Sequence, residues 1–148
     1  VIVVDGKADQ ACALMGALMM NQAKAQKLGG VVVDAAIRDL LELRELGFPV
    51  FAVGANPNGP LKVAPGRINH PISCGGVTVH PGDLILGDAD GVVVIERADI
   101  AKLIPLAEKK VAAEQARTAD LKAGRNLVSD FLDGALKTAG VLKADEHL

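Results

Sequence analysis

Arg38-Asp39 is the pair of residues in this chain with the most chemistry to offer. It follows the β-branched run Val31-Val32-Val33-Asp34 and precedes a Leu/Glu-rich stretch, so it falls between a strand and a helix. In a parallel α/β unit the carboxyl ends of the strands are where ligands bind. A guanidinium there can take a substrate carboxylate in two parallel hydrogen bonds while the adjacent carboxylate holds a hard cation. The plainer roles are a helix N-cap for Asp39 and a solvated charge for Arg38. Gly16, followed by Ala17, Leu18 and Met19, is a second candidate. Bare N–H groups at a helix start form an anion site, because the first four lack intrahelical acceptors and the helix dipole adds positive potential. The plainer role of Gly16 is a small residue inside a buried helix. Glu114 has Lys110 and Arg117 within one helical turn, and by itself reads as a surface ion pair of little worth.

Other reactive side chains offer less. His70, His80 and His147 are scattered, with no metal-ligand spacing. Ser73-Cys74-Gly75-Gly76 is not the Gly-x-Ser-x-Gly nucleophile elbow, and Cys74 reads as a small buried residue. Asp88 and Asp90 satisfy turn amides. Cys12 and Cys74 are too few for a disulfide framework, so a reducing cytoplasm is the simplest setting.

These candidates need elements to hold them. Residues 1–5 form a short β-branched run that stops at Asp5-Gly6, as a buried strand does. Residues 11–28 are rich in Ala, Leu and Met, which predicts a helix closed by Gly29-Gly30. Gly16 is the weak link in that stretch, so the helix begins at Ala11 or at Gly16. Residues 31–34 read as a second buried strand. Residues 40–46 are a short helix, with Asp39 as N-cap, Glu42 three residues on as in a capping box, and Gly47 at the end. Residues 49–53 are a third strand, which completes a parallel βαβαβ unit.

Residues 54–71 carry Pro57, Gly59, Pro60, Pro65 and Gly66 and form a long irregular connection of the kind that is usually functional. Residues 76–79, 84–86 and 92–95 are short strands joined by turns, a β-meander packed on the first half. A long helix over 98–123 has an apolar stripe through Leu103, Leu106 and Val111. A last helix covers 127–139, and the tail beyond Gly140 is loose.

Composition narrows the function. The 148 residues hold 16 basic and 18 acidic side chains, a formal charge of -2, which argues against a nucleic-acid footprint. With 2% aromatics and no Trp or Tyr there are no base-stacking platforms. The longest apolar runs, such as Val92-Val93-Val94-Ile95, are far too short to span a membrane. The chain starts without Met inside a β run, so a piece of a longer protein is expected.

Taken together, the motifs have a familiar order. Twenty-one residues separate Gly16 from Arg38-Asp39, and Leu46-Gly47-Phe48-Pro49-Val50-Phe51 follows. Asn69-His70-Pro71-Ile72, Cys74-Gly75-Gly76-Val77, Val79-His80-Pro81-Gly82-Asp83 and Asp88-Ala89-Asp90-Gly91-Val92 complete the pattern. Over residues 1–124 the chain resembles the RraA-like family. That family contains the 4-hydroxy-4-methyl-2-oxoglutarate / 4-carboxy-4-hydroxy-2-oxoadipate aldolases and the RraA inhibitors of RNase E, and its members are often mislabelled demethylmenaquinone methyltransferases. The resemblance implies a swivelling β/β/α fold without the family's N-terminal segment, a catalytic domain over 1–124 and a helical extension over 125–148. It implies a homotrimer or hexamer with the active site between subunits, no nucleic-acid or membrane partner, and a small 2-oxo acid such as pyruvate or oxaloacetate as substrate. Carried over, Arg38 binds the pyruvoyl carboxylate and carbonyl and stabilises an enolate. Asp39 is the direct ligand to Mg²⁺ or Mn²⁺, and the amides of Gly16, Ala17, Leu18 and Met19 hold the substrate carboxylate. Glu114 reaches a neighbouring subunit's metal through water.

One position departs from the pattern. The aldolases usually carry Asp or Glu after the motif glycine, where it positions a water for proton transfer; here that residue is Ala17. Losing a positioned acid/base costs about 10²–10⁴ in rate. Oxaloacetate decarboxylation, which needs the electron sink more than that base, is therefore the activity the resemblance favours. A non-catalytic protein-binding regulator of the RNase E inhibitor kind is the alternative.

Overall fold

The strand Val31–Ile37 (β2) is buried at six of its seven positions, and the first unit of the molecule is built around it. The computed structural model describes residues 1–63, 65–125, 127–128 and 130–147, with the backbone alone at 130. β2 lies between Ile2–Met15 (β1) and Val50–Ala55 (β3), parallel to both, in the order β1-β2-β3. The crossovers are the helices Ala17–Ala25 (α1) and Leu40–Leu46 (α2). Alternation along β2 turns Val31, Val33, Ala35 and Ile37 to one face, where they form the core with Met20 and Ala23 of α1, Leu43 of α2, and Phe48. The parallel α/β unit is as the sequence predicts.

Two features of its first half differ. β1 does not stop at Asp5-Gly6, and residues 11–15 are strand rather than helix. Ala-Cys-Ala-Leu-Met has helix propensity, but pairing with the buried β2 overrides it. The pairing is irregular. Eleven steps of β1 from Val4 to Met15 run beside four steps of β2 from Val33 to Ile37, and the surplus is taken up by register shifts. Lys7 and Ala8 adopt φ of 60° and 55° within this stretch. Gly6 allows β1 to close on β2, since a Cβ there would meet Ala35 Cβ at 2.5 Å and the Asp34 carbonyl at 2.7 Å. The helix starts at the later of the two expected points, with Gly16 as its N-cap.

No helix or strand is present between Ala55 and Ile72 among the described residues. The expected meander is instead two separate antiparallel hairpins, Ile72–Cys74 (β4) with Val77–Val79 (β5) and Leu84–Asp88 (β6) with Gly91–Ile95 (β7). β5 and β6 do not pair. The Asp83 carboxylate takes the His80 and Arg97 amides (2.8 and 3.2 Å), which ties the β5–β6 turn to the end of β7 in place of a ladder. The Asp34 carboxylate fastens the first hairpin to β2 by accepting the Gly75 amide at 3.1 Å.

Ile100–Lys122 (α3) has no buried residue, and Leu106 and Val111 of its apolar stripe are more than half exposed. Asp130–Thr138 (α4) is the last helix; the part of the expected helix at residue 129 lies outside the described residues. The tail makes bonds of its own. His147 Nδ1 lies 2.9 Å from Asp133 Oδ2, and Glu146 accepts the Lys143 amide at 2.8 Å. Compactness divides the chain into residues 1–100 and 101–148, whereas 124/125, the boundary expected from sequence, falls just after α3. Among the described residues no helix is long and apolar enough to cross a membrane.

Candidate active site at the strand ends

The last residues of the three parallel strands, Met15, Ile37 and Ala55, stand side by side in register. The chain leaves each strand at the same level, so Gly16-Ala17, Arg38-Asp39 and the segment from Asn56 to Gly59 emerge together. Two backbone bonds extend the ladder into these segments: Arg38 N–H donates to the Met15 carbonyl, and Asn56 N–H to that of Ile37, both at 3.0 Å. Residues twenty-two positions apart thus become neighbours because the α1 crossover returns the chain to the same edge.

Asp39 is not the cap that its sequence context predicts. It sits in the left-handed region (φ 63°, ψ 41°), makes no side-chain cap to α2, and forms no capping box with Glu42. Its Oδ2 instead accepts the Ala17 amide at 2.9 Å, at the start of α1. Asp is one of the few residues that tolerates this backbone region, because its short polar side chain can hydrogen-bond nearby. The Arg38 Nε lies 3.8 Å from the same oxygen, with the two side chains 41% and 37% exposed. The pair is open to solvent on one side. Gly16 is extended (φ -152°), so it is needed for space rather than for its backbone freedom. A Cβ on it would overlap Asp39 Oδ2 and come within 2.9 Å of Arg38 Cγ.

Of the amides expected to face a ligand, Ala17's is taken by Asp39, and Met19's returns to the Gly16 carbonyl at 3.1 Å. The Gly16 and Leu18 amides carry no hydrogen bond from the described residues. The structure therefore brings together Gly16, Ala17, Leu18, Arg38 and Asp39, with Met19 one turn behind. Glu114 belongs to the second compact unit, where it is well exposed and pairs with Lys110 at 3.3 Å.

Asn56, Asn58 and Gly59 lie in the connection over 54–71 that the sequence marks as functional, though their types single out none of them as a site residue. Asn56 Nδ2 donates to the Gln10 carbonyl (2.8 Å), its Oδ1 accepts the Asn58 amide (2.9 Å), and the Asn58 carbonyl accepts the Ala13 amide (2.8 Å). Asn-Pro-Asn-Gly is a turn signal, and only the folded register shows that this turn borders Arg38.

Among the described residues no group of three or more His, Cys, Asp or Glu side chains could hold a metal. What Asp39 offers is one carboxylate, with Oδ2 engaged and Oδ1 free of bonds from the described residues. That donor set fits a hard divalent ion that keeps most of its waters, and does not fit a zinc-type cage. Cys74 is unsuited to nucleophilic work: burial, then the charges of Asp34 and Asp5, push its thiol above the usual range. Cys12 is also raised, first by its hydrogen bond to Asp9.

This arrangement belongs to a known class. A family model described as RraA-like, Aldolase/RraA, matches residues 1–94, and the chain belongs to that family. It is 45% identical over 117 residues to a Halalkalibacterium halodurans protein named provisionally as a 4-hydroxy-4-methyl-2-oxoglutarate aldolase, covering 79% of this chain and 56% of that one. Among solved structures, Streptomyces coelicolor RraAS2, described as an unusual member of the RNase ES inhibitor RraA protein family, matches with a TM-score of 0.72. Its identity is 29%, over 78% of this chain and 60% of that one. The RNA-processing inhibitor RraA from Thermus thermophilis matches with a TM-score of 0.60 and 35% identity, over 63% of this chain and 57% of that one. The chain spans less than two thirds of each of these relatives. Its α/β fold is the RraA fold expected from the motifs.

Proposed function

We propose that this chain carries the site of a divalent-metal-dependent lyase that acts on 2-oxo acids. The observation that carries the reading is the meeting of Gly16-Ala17 and Arg38-Asp39 at the carboxyl ends of in-register parallel strands, with the Ala17 amide on Asp39 Oδ2. The aldolase-named relative supports the same class.

Arg38 is the catalytic cation. Its guanidinium takes the carboxylate and carbonyl oxygen of the pyruvoyl unit, and it stabilises the negative charge that grows on that oxygen as the C–C bond breaks. The amides around Gly16 and Leu18 hold the substrate carboxylate against the positive end of α1. Asp39 would hold Mg²⁺ or Mn²⁺ directly, and Glu114 of a neighbouring copy would reach it through water. Bound there, the ion supplies Lewis-acid polarisation of the 2-oxo carbonyl. In oxaloacetate the C3–C4 bond breaks, CO₂ leaves, and the electron pair enters an enolate that gains a proton to give pyruvate. The site works in a homotrimer or hexamer in the cytoplasm, without nucleic-acid or membrane partners.

Ala17 decides between substrates. A retro-aldol cleavage must first deprotonate a tertiary alcohol, and Ala17 offers no group to help; decarboxylation has no such step. Oxaloacetate should therefore be turned over faster than 4-hydroxy-4-methyl-2-oxoglutarate. Ala17→Asp should raise aldol cleavage more than decarboxylation, and the start of α1 favours the added negative charge. Pyruvate release from both substrates tests this. Equal wild-type rates would mean another residue supplies the base, and an unresponsive Ala17→Asp would remove the Gly16 segment from the site.

Ala17 and the likeness to RraA inhibitors also favour a second reading, a non-catalytic protein-binding regulator. Capture by an RNase E C-terminal scaffold, with no metal-dependent pyruvate, would select it.

A further inference from the structure

The backbone of Arg38 is fixed by its bond to Met15, but its Nε stands 3.8 Å from Asp39, beyond hydrogen-bond range, so the far end of the part-exposed side chain is open to water and to one further contact. That contact is the segment after β3. An added Cβ on Gly59 would have one heavy atom within 4 Å, Arg38 Nη1 at 3.4 Å. The bare Gly59 Cα therefore faces the guanidinium across a space that a methyl group would fill in ordinary contact.

What holds Gly59 there is Asn56. The register shifts of β1 around Asp9 and Ala13 free a carbonyl at Gln10 and an amide at Ala13. The turn takes both, through Asn56 Nδ2 to Gln10 and through the Asn58 carbonyl to Ala13. Asn56 Oδ1 closes the turn on the Asn58 amide, and the Asn56 backbone is joined to Ile37. One short side chain must donate in one direction and accept in the other. Asn does this; Asp keeps only the acceptor and sets it against the Gln10 carbonyl.

We propose that Asn56 is a positioning residue for Arg38, acting through the turn it closes, which sets Gly59 beside the guanidinium. This rests on the reading of Arg38 as the group that takes the substrate's carboxylate and carbonyl. It goes beyond that reading by making the β3 turn the third wall of the site.

The test follows the Arg38 Nε–H resonance in the ¹⁵N-labelled 148-residue chain, assigned by its loss in Arg38→Lys, and then oxaloacetate turnover with Mg²⁺. In Asn56→Ala the resonance should broaden, and in Gly59→Ala it should shift, while the resonances of Arg44 and Arg97 stay in place. Asn56→Ala should lose about tenfold or more in kcat/KM, with Asn56→Asp between Asn56→Ala and wild type. In an Arg38→Ala background Asn56→Ala should cost nothing further, because the two act through one group. Asn56→Asp, which keeps the acceptor for Asn58 but loses the donor to Gln10, decides the matter if Asn56→Ala does not fold. An Arg38 resonance indifferent to both substitutions overturns the inference, as do losses that simply add. If the wild type releases no pyruvate, the proposed function fails and the resonances alone decide this inference.

Discussion

At Asp39 a left-handed backbone, a bond to Ala17 and a charge beside Arg38 coincide, and two substitutions separate them. Asp39→Asn keeps a residue tolerant of positive φ and an oxygen for the Ala17 amide, so its stability should stay within about 0.5 kcal/mol of wild type. It removes the charge, and metal-dependent turnover should vanish. Asp39→Ala loses the hydrogen bond and strains the backbone, and should be destabilised by about 2 kcal/mol in urea as well as inactive. An active Asp39→Asn would reduce Asp39 to a scaffold. Gly16, Arg38 and Asp39 were legible in the sequence as residue types at the right spacing. The left-handed Asp39 was not, because Asp followed three residues later by Glu42 also satisfies the pattern of an N-cap. Asn56 and Gly59 were hidden for a different reason: their value comes from hydrogen-bonding groups that the bulged β1 leaves free, and nothing in a local window signals that.

The elements were legible where burial and propensity agree. α2, closed by Gly47 in the left-handed region (φ 61°), read directly from residue type, and so did β2 as far as Asp34, though the strand runs on to Ile37. β1 beyond Gly6 did not, since its Ala-rich second half is held as strand by a partner elsewhere in the chain. Three of the four hairpin strands were legible and β4 was not, and the Asp83 clasp that joins the β5–β6 turn to the end of β7 is a tertiary feature. Its bonds to the His80 and Arg97 amides hold the Asp83 carboxyl below its usual value, the His80 bond most. A folded-state pKa below the unfolded one adds stability that is present above the unfolded value of 3.8 and is lost as pH falls through the folded value. Asp83→Asn should therefore lower Tm at pH 7 and flatten the fall in Tm between pH 5 and pH 3, both read by thermal melts. An Asp83→Asn melt with the wild-type acid slope would mean that the clasp is not charged.

At the scale of the molecule, the surface leaves Leu18, Leu41, Leu106 and Val111 exposed, and α3 buries nothing. Apolar side chains left open in this way are available to the subunit contacts that the proposed trimer or hexamer requires. Light scattering at micromolar concentration should give the mass of a trimer or a hexamer, and a monomer would remove the neighbouring copy that brings Glu114 to the metal. The apolar composition and the amphipathic long helix already suggest subunit contacts in the sequence, and this measurement decides whether they form a trimer or a hexamer. The most direct test of the site is pyruvate release from oxaloacetate with and without Mg²⁺, against the ion alone. The wild type should show Mg²⁺-dependent release above that background. Arg38→Ala should lose about 10²-fold or more, and Arg38→Lys should recover part of the loss, because an ammonium cannot make the two-pronged contact. Release no faster than with the ion alone, or undiminished in Arg38→Ala, would contradict the assignment.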